Sequence, residues 1–205
     1  MTSTEQPIAE ARVGAFDYDI GWWAAALRAG KVVVDIDECR LPSRHGHHRY
    51  AILGPGGVQQ LSIPLVRSTC GWSTPLCEVA ISEHANWRRV HWGALYSAYG
   101  QTPYFDYVAD DLQRVVHGGQ SLLIDYNRQM QQLIVDFMQL PVTFDYGHGK
   151  SDAATRLAVE DVHDVPYHQL WSDRHGFQPR LSILDLMMNE GPEGIFTLYK
   201  MTQGE

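Results

Sequence analysis

The densest run of chemically capable residues lies between positions 32 and 49. Val32-Val33-Val34-Asp35-Ile36-Asp37-Glu38 carries a β-branched stretch into three carboxylates. Such a stretch predicts a buried strand over 31–36. Its acids then fall at or near the carboxyl end, where α/β proteins gather ligands. Asp35 and Asp37 stand at i and i+2, so they share a face while the strand stays regular. Two close carboxylates repel unless a proton or a cation lies between them. That is the basis of Asp-x-Asp sites that hold Mg²⁺ or Mn²⁺ with a substrate diphosphate. Asp35 and Asp37 are therefore candidate metal ligands, and Asp37 a candidate catalytic residue; the competing reading is a solvated strand end. His45-Gly46-His47-His48-Arg49 follows. Imidazoles bind transition metals, but on a strand His47 and His48 point to opposite faces. Arg49 suits bidentate capture of a phosphate or carboxylate, against a buried structural ion pair.

Further candidates lie from residue 87 onward. His91 follows Trp87 by four residues on a predicted helix, so both face one way. It is a candidate acid or base, against a hydrogen-bonded core histidine. Tyr96, Tyr99, Tyr104, Phe105 and Tyr107 form an aromatic set on which sugars and planar rings could stack, against plain core packing; Trp87, Tyr99 and Tyr104 join Arg49 as candidate substrate-binding residues. Asp185, inside Leu181-Ser182-Ile183-Leu184-Asp185-Leu186-Met187-Met188, is a carboxylate among apolar neighbours. Buried, it needs a partner, and Arg49 or His91 would fit; it is the third catalytic candidate after Asp37 and His91.

Other chemistries are missing from the pattern. Neither Gly54-Pro55-Gly56-Gly57 nor Gly118-Gly119 matches a phosphate cradle, and there is no Gly-x-Ser-x-Gly elbow. His163, His168 and His175 are irregularly spaced. The three cysteines form no Cys-x-x-Cys, which disfavours a disulfide framework or zinc ribbon. Cys39 follows Glu38, whose charge opposes a thiolate. Residues 101–205 hold 7 basic and 15 acidic residues, the whole of the net charge of −8. That balance argues against a nucleic-acid partner, which requires a basic stripe. No membrane span and no secretory leader is visible, so the expectation is a soluble cytoplasmic protein.

These residues need elements to position them. Periodicity predicts helices over 20–29, 87–99, 103–116, 121–140 and 181–189, with Asn86 as an N-cap. Strands are expected over 31–36, 49–53, 58–65, 76–81 and 142–146. The pair 49–53 and 58–65 reads as a hairpin with a loop of about four residues. Residues 1–12 are polar and expected to be frayed. Residues 148–164 read as a linker or mobile loop. Strands followed by helices favour α+β, although helix 20–29 before a buried strand leaves a partly parallel sheet open. The expectation is one α+β (or mixed α/β) domain over 13–205, helices packed on a mixed sheet.

Several segments in order resemble one family. Asn86-Trp87-Arg88-Arg89-Val90-His91, Tyr96 and Tyr99, then Thr102-Pro103-Tyr104-Phe105, resemble the centre of the WbqC-like family. Leu123-Ile124-Asp125-Tyr126-Asn127 is similar to its "L.dfN" helix start. Phe177-Gln178-Pro179-Arg180-Leu181-Ser182-Ile183-Leu184-Asp185 with Gly191-Pro192-Glu193 resembles its "F.PnLSIiDll.n.gPe" signature. His48-Arg49-Tyr50-Ala51-Ile52 before Leu61-Ser62-Ile63-Pro64 resembles "NR..I…L.iPv". The matches cover about residues 20–193. Many members open on a His-Gln-Pro turn; here that region is Ala15-Phe16-Asp17-Tyr18-Asp19-Ile20. The resemblance implies a bacterial protein tied to O-antigen and other surface-sugar biosynthesis. It also implies a glycine- or acyl-type transferase with a small-molecule substrate (a sugar, nucleotide sugar or amino/acyl donor). The departure at the amino end keeps a second reading open, a non-catalytic binding or assembly protein that retains the fold. A third is a Mg²⁺- or Mn²⁺-dependent, glycosyltransferase-like site on Asp35-x-Asp37.

Overall fold

A computed structural model describes residues 10–13, 17–37, 47–69, 74–148 and 161–203. Three parallel strands form the sheet: β1 (Glu10–Val13), β2 (Lys31–Asp35) and β5 (Thr143–Gly147), in the order β1-β2-β5. Helix α1 (Ile20–Ala29) is the crossover from β1 to β2, since parallel neighbours cannot be joined by a tight turn. Asp19 caps α1, its carboxylate accepting from the N–H groups of Gly21 and Trp22. Gly30, at φ 72°, stops it. One face of the sheet carries Val32, Val34, Phe144 and Tyr146, paired 32 with 144 and 34 with 146. Trp22 and Trp23 of α1 cover Phe144, with ring centroids 5.8 and 5.7 Å away.

The second β element is the antiparallel hairpin of β3 (Arg49–Gly54) and β4 (Gly57–Ser62). Gly54 and Gly57 pair with each other, so the connection is the two residues Pro55 and Gly56. It is shorter than the four-residue loop expected, and β4 ends at Ser62 rather than Leu65. Gly57 stands at φ 102°, a conformation that favours glycine. The strand expected over 76–81 does not form. Leu76–Glu78 is a single 3₁₀ turn after Pro75, and Ala80 and Ile81 make only isolated bridges to Leu122 and Leu65.

The helices are α2 (Trp87–Tyr99), α3 (Phe105–His117), α4 (Leu123–Met138), α5 (Ser172–His175), α6 (Ile183–Glu190) and α7 (Gly194–Thr202). Asn86 does not cap α2 with its side chain; it is held in the left-handed region at φ 49°. Residues 183–189 of α6 are all buried, which explains the apolar run around Asp185. Ser182 caps α6 by accepting from the Leu184 N–H, and its own N–H donates to Ala51 O of β3. Helix α7 was not expected. The Gly191-Pro192 pair, which reads as a stop, instead leads through one 3₁₀ turn into it. Strand β1 was not expected either, and it begins inside the stretch expected to fray; residues 1–9 and 149–160 lie outside the described residues. The mixed α+β architecture is as anticipated.

Candidate functional site

The candidates from the sequence fall into three neighbourhoods. The first lies beneath the hairpin. Tyr50 of β3 points inward, and its hydroxyl sits 3.0 Å from His91 Nδ1. The other ring nitrogen, Nε2, lies 3.1 Å from Ser62 O. A carbonyl only accepts, so Nε2 carries the proton and Nδ1 accepts from Tyr50. Trp87 and Tyr126 close the cluster, with Trp87 centroids 4.9 Å from His91 and 5.6 Å from Tyr126. Burial lowers the His91 pKa to about 4, more than the Ser62 bond raises it. His91 is thus a neutral, doubly hydrogen-bonded histidine. Arg49 neighbours Tyr50, but strand alternation turns it to the opposite, exposed face with Ser62. It makes no ion pair among the described residues, and the buried ion pair weighed from the sequence is not what the structure holds.

The second neighbourhood surrounds Asp185, which is 1% exposed. Tyr167 donates to Asp185 Oδ2 at 2.8 Å. The Tyr99 hydroxyl makes no hydrogen bond of regular geometry, yet lies close enough to favour the carboxylate. Burial raises the Asp185 pKa to about 6, against the pull of Tyr167, Tyr99 and Gln169. The partner of Asp185 is therefore Tyr167, not Arg49 or His91. Tyr99 is eight residues past His91 on α2, about 12 Å along its axis. Tyr104 stands apart from both, its ring packed against Gly191 and 6.4 Å from Phe137.

The third neighbourhood is the carboxyl end of the sheet. Strand β2 stops at Asp35, so Asp35 and Asp37 do not share a regular strand face. Instead Asp35 Oδ1 accepts the Asp37 N–H at 2.9 Å and shapes the turn. Asp37 Oδ1 meets His148 Nδ1 at 3.1 Å across the ends of β2 and β5. A carboxylate only accepts, so Nδ1–H is the donor and Nε2 is left as the basic nitrogen. His148 and Asp37 are both exposed, which leaves the pair open to solvent. Asp35 and Asp37 do not by themselves fit a divalent cation: each has an oxygen engaged in the turn or with His148. Among the described residues, no group of three or more His, Cys, Asp or Glu could hold a metal ion. Glu38, Cys39 and His45 lie outside the described residues.

Two residues that matter here were not singled out from the sequence. His148 was read as the start of a linker, because its carboxylate partner is 111 positions away. Arg88, next to Trp87, is buried and spends its guanidinium on structure. It donates to Glu83 at 2.8 Å, Val116 O at 2.8 Å, Gln120 Oε1 at 3.1 Å and Gln120 O at 2.9 Å. It also lies 4.5 Å over the Trp87 ring. These bonds tie the start of α2 to the α3–α4 connection.

A model of the WbqC-like protein family matches residues 20–153 and 150–196. No curated protein and no solved structure matches the chain. No helix of the described residues is long and apolar enough to cross a membrane.

Proposed function

We propose, for a chain that belongs to the WbqC-like protein family, an acyl- or glycyl-type transferase of surface-polysaccharide or sugar-precursor metabolism, working in the cytoplasm. The observation that carries this reading is the Asp37–His148 pair at the carboxyl ends of two adjacent parallel strands. Asp37 orients the imidazole through Nδ1–H. His148 Nε2 takes the proton of an acceptor amine or hydroxyl as it attacks the donor carbonyl. The same nitrogen then returns that proton to the leaving group. Asp35 holds the Asp37 turn and is a positioning residue. Arg49, exposed and unpaired among the described residues, is the binding group for an anionic part of the substrate. His91 and Asp185 enter this account as structural residues, because their polar atoms are committed inside the core.

A second reading, a binding or assembly protein without catalysis, is favoured by that same commitment of two of the three catalytic candidates. A thermal-unfolding panel separates the two. It would hold acyl-CoA species, nucleotide sugars, amino acids, and Mg²⁺ or Mn²⁺ with and without chelator. A ligand at about 100 times its Kd adds about 2.7 kcal/mol, roughly 5–10 °C for a chain of this size. The transferase reading expects such a shift from a donor or acceptor. No shift with any of them supports the assembly protein.

A further inference from the structure

The outer edge of β5 offers a binding surface beside the chemistry proposed above, because His148 directly follows that strand. The order β1-β2-β5 puts β5 at the margin of the sheet. Thr143 donates its N–H to Gly30 O, and Gly147 O accepts from the Ile36 N–H. Residues 143, 145 and 147 therefore turn their backbone groups toward β2. In a parallel ladder, the N–H and C=O of Phe144 and Tyr146 must then point outward. No backbone partner meets them among the described residues.

A groove of about 590 Å³ runs along that edge. Residues 142–146 line it in unbroken succession. A strand face offers only alternate residues, so an unbroken run means that the groove follows the edge. Its other wall is Arg128, Gln131, Gln132 and Val135, one stripe of α4 at i, i+3, i+4 and i+7. Gln131 is 2% exposed. Its Oε1 accepts from the Tyr146 hydroxyl, whereas its Nε2 is buried with no hydrogen-bond partner among the described residues. A buried amide donor left unmatched is costly and implies a missing acceptor. The Arg128 guanidinium stacks 4.1 Å over the Tyr146 ring and has no ion-pair partner among the described residues. Asp145, the acid in the lining, is engaged by Lys31 at 3.2 Å.

We propose that this groove takes an extended acidic segment of a partner protein, which adds to β5 as a fourth strand and sets a carboxylate against Arg128. Its carbonyls accept from the N–H groups of Phe144 and Tyr146 and from Gln131 Nε2. Its N–H groups donate to the outward carbonyls. Main-chain bonds supply affinity in strand addition, and the flanking side chains supply selectivity. Five residues of β5 extend over about 16 Å, a length that suits an extended chain better than a compact ligand. The proposal does not depend on the transferase reading.

The test uses the full chain, isotope-labelled, with a capped pentapeptide of sequence Thr-Val-Glu-Val-Thr as probe. In the free chain the Phe144 and Tyr146 amides exchange with deuterium faster than those of Thr143 and Asp145. Millimolar peptide shifts the resonances of Phe144, Tyr146 and the Gln131 side chain, and slows exchange at the two edge amides. Arg128→Ala weakens binding about threefold, the scale of an exposed ion pair. Replacing the peptide's Glu by Lys weakens it similarly. Three results overturn the proposal. The edge amides are as protected as their neighbours in the free chain. The peptide shifts nothing at the groove. Or inorganic phosphate alone reproduces the shifts, which marks a small-anion site.

Discussion

Asp185→Asn is the most informative single perturbation of the core. The carboxyl group projects from α6 into the interior against Tyr167 and Tyr99, and burial raises its pKa from 3.8 to about 6. A rise of roughly two units corresponds to about 3 kcal/mol. The folded value is the higher one, so the group favours folding most below its unfolded pKa. That contribution is lost as pH rises through about 6. At neutral pH the native protein thus carries a carboxylate that it would hold more comfortably protonated. The amide variant keeps an acceptor for the Tyr167 hydroxyl and has no charge to desolvate. Urea unfolding of both proteins from pH 4 to pH 8 reads the effect directly. The difference in unfolding free energy should move by about 2–3 kcal/mol in the variant's favour across that range. Groups shared by both proteins cancel in the difference, except where they interact with the carboxylate itself, as His168 does. Parallel stability curves would refute the claim that burial governs this group.

Two further outcomes follow from the buried polar residues. His91 has its pKa lowered to about 4 by burial, so the native state loses stability as pH falls from about 6.5 toward 4, by up to about 3 kcal/mol. His91→Gln should flatten that part of the acid-unfolding curve. Arg88→Met should cost about 2–4 kcal/mol in urea unfolding, because the carbonyls of Val116 and Gln120 lose their donor. Arg88→Lys should restore little of it, since an ammonium cannot reach several acceptors at once as the guanidinium fork does.

Local patterns made part of this molecule legible. Trp87, His91, Leu95 and Tyr99 at helical spacing predict α2, and Ile20 to Gly30 predicts α1 to the residue. The three valines before Asp35 predict β2. What escaped is non-local. The four residues of β1 have no strand signature of their own and form a strand only because β2 offers a parallel edge. Residues 76–81 are apolar enough for a strand, but find no continuous partner and make a 3₁₀ turn instead. The candidate site divides the same way. Asp37 stands out because carboxylates at a strand end are conspicuous. His148 becomes its partner only when β5 aligns with β2. His91 looks equally catalytic and core-like in sequence, and it is Tyr50 and the Ser62 carbonyl that decide its state.

The central claim is that Asp37 and His148 perform group transfer. The most direct measurement is mass-spectrometric detection of transferred product, with acyl-CoA or glycyl donors offered against amino-acid, amino-sugar and nucleotide-sugar acceptors. The account predicts product with the wild-type chain and a rate lower by about 10²–10⁴ in His148→Ala, the usual weight of an acid–base group. Asp37→Asn should also lower the rate, with folding intact by circular dichroism in both variants. Product formed at an unchanged rate by His148→Ala would contradict the account.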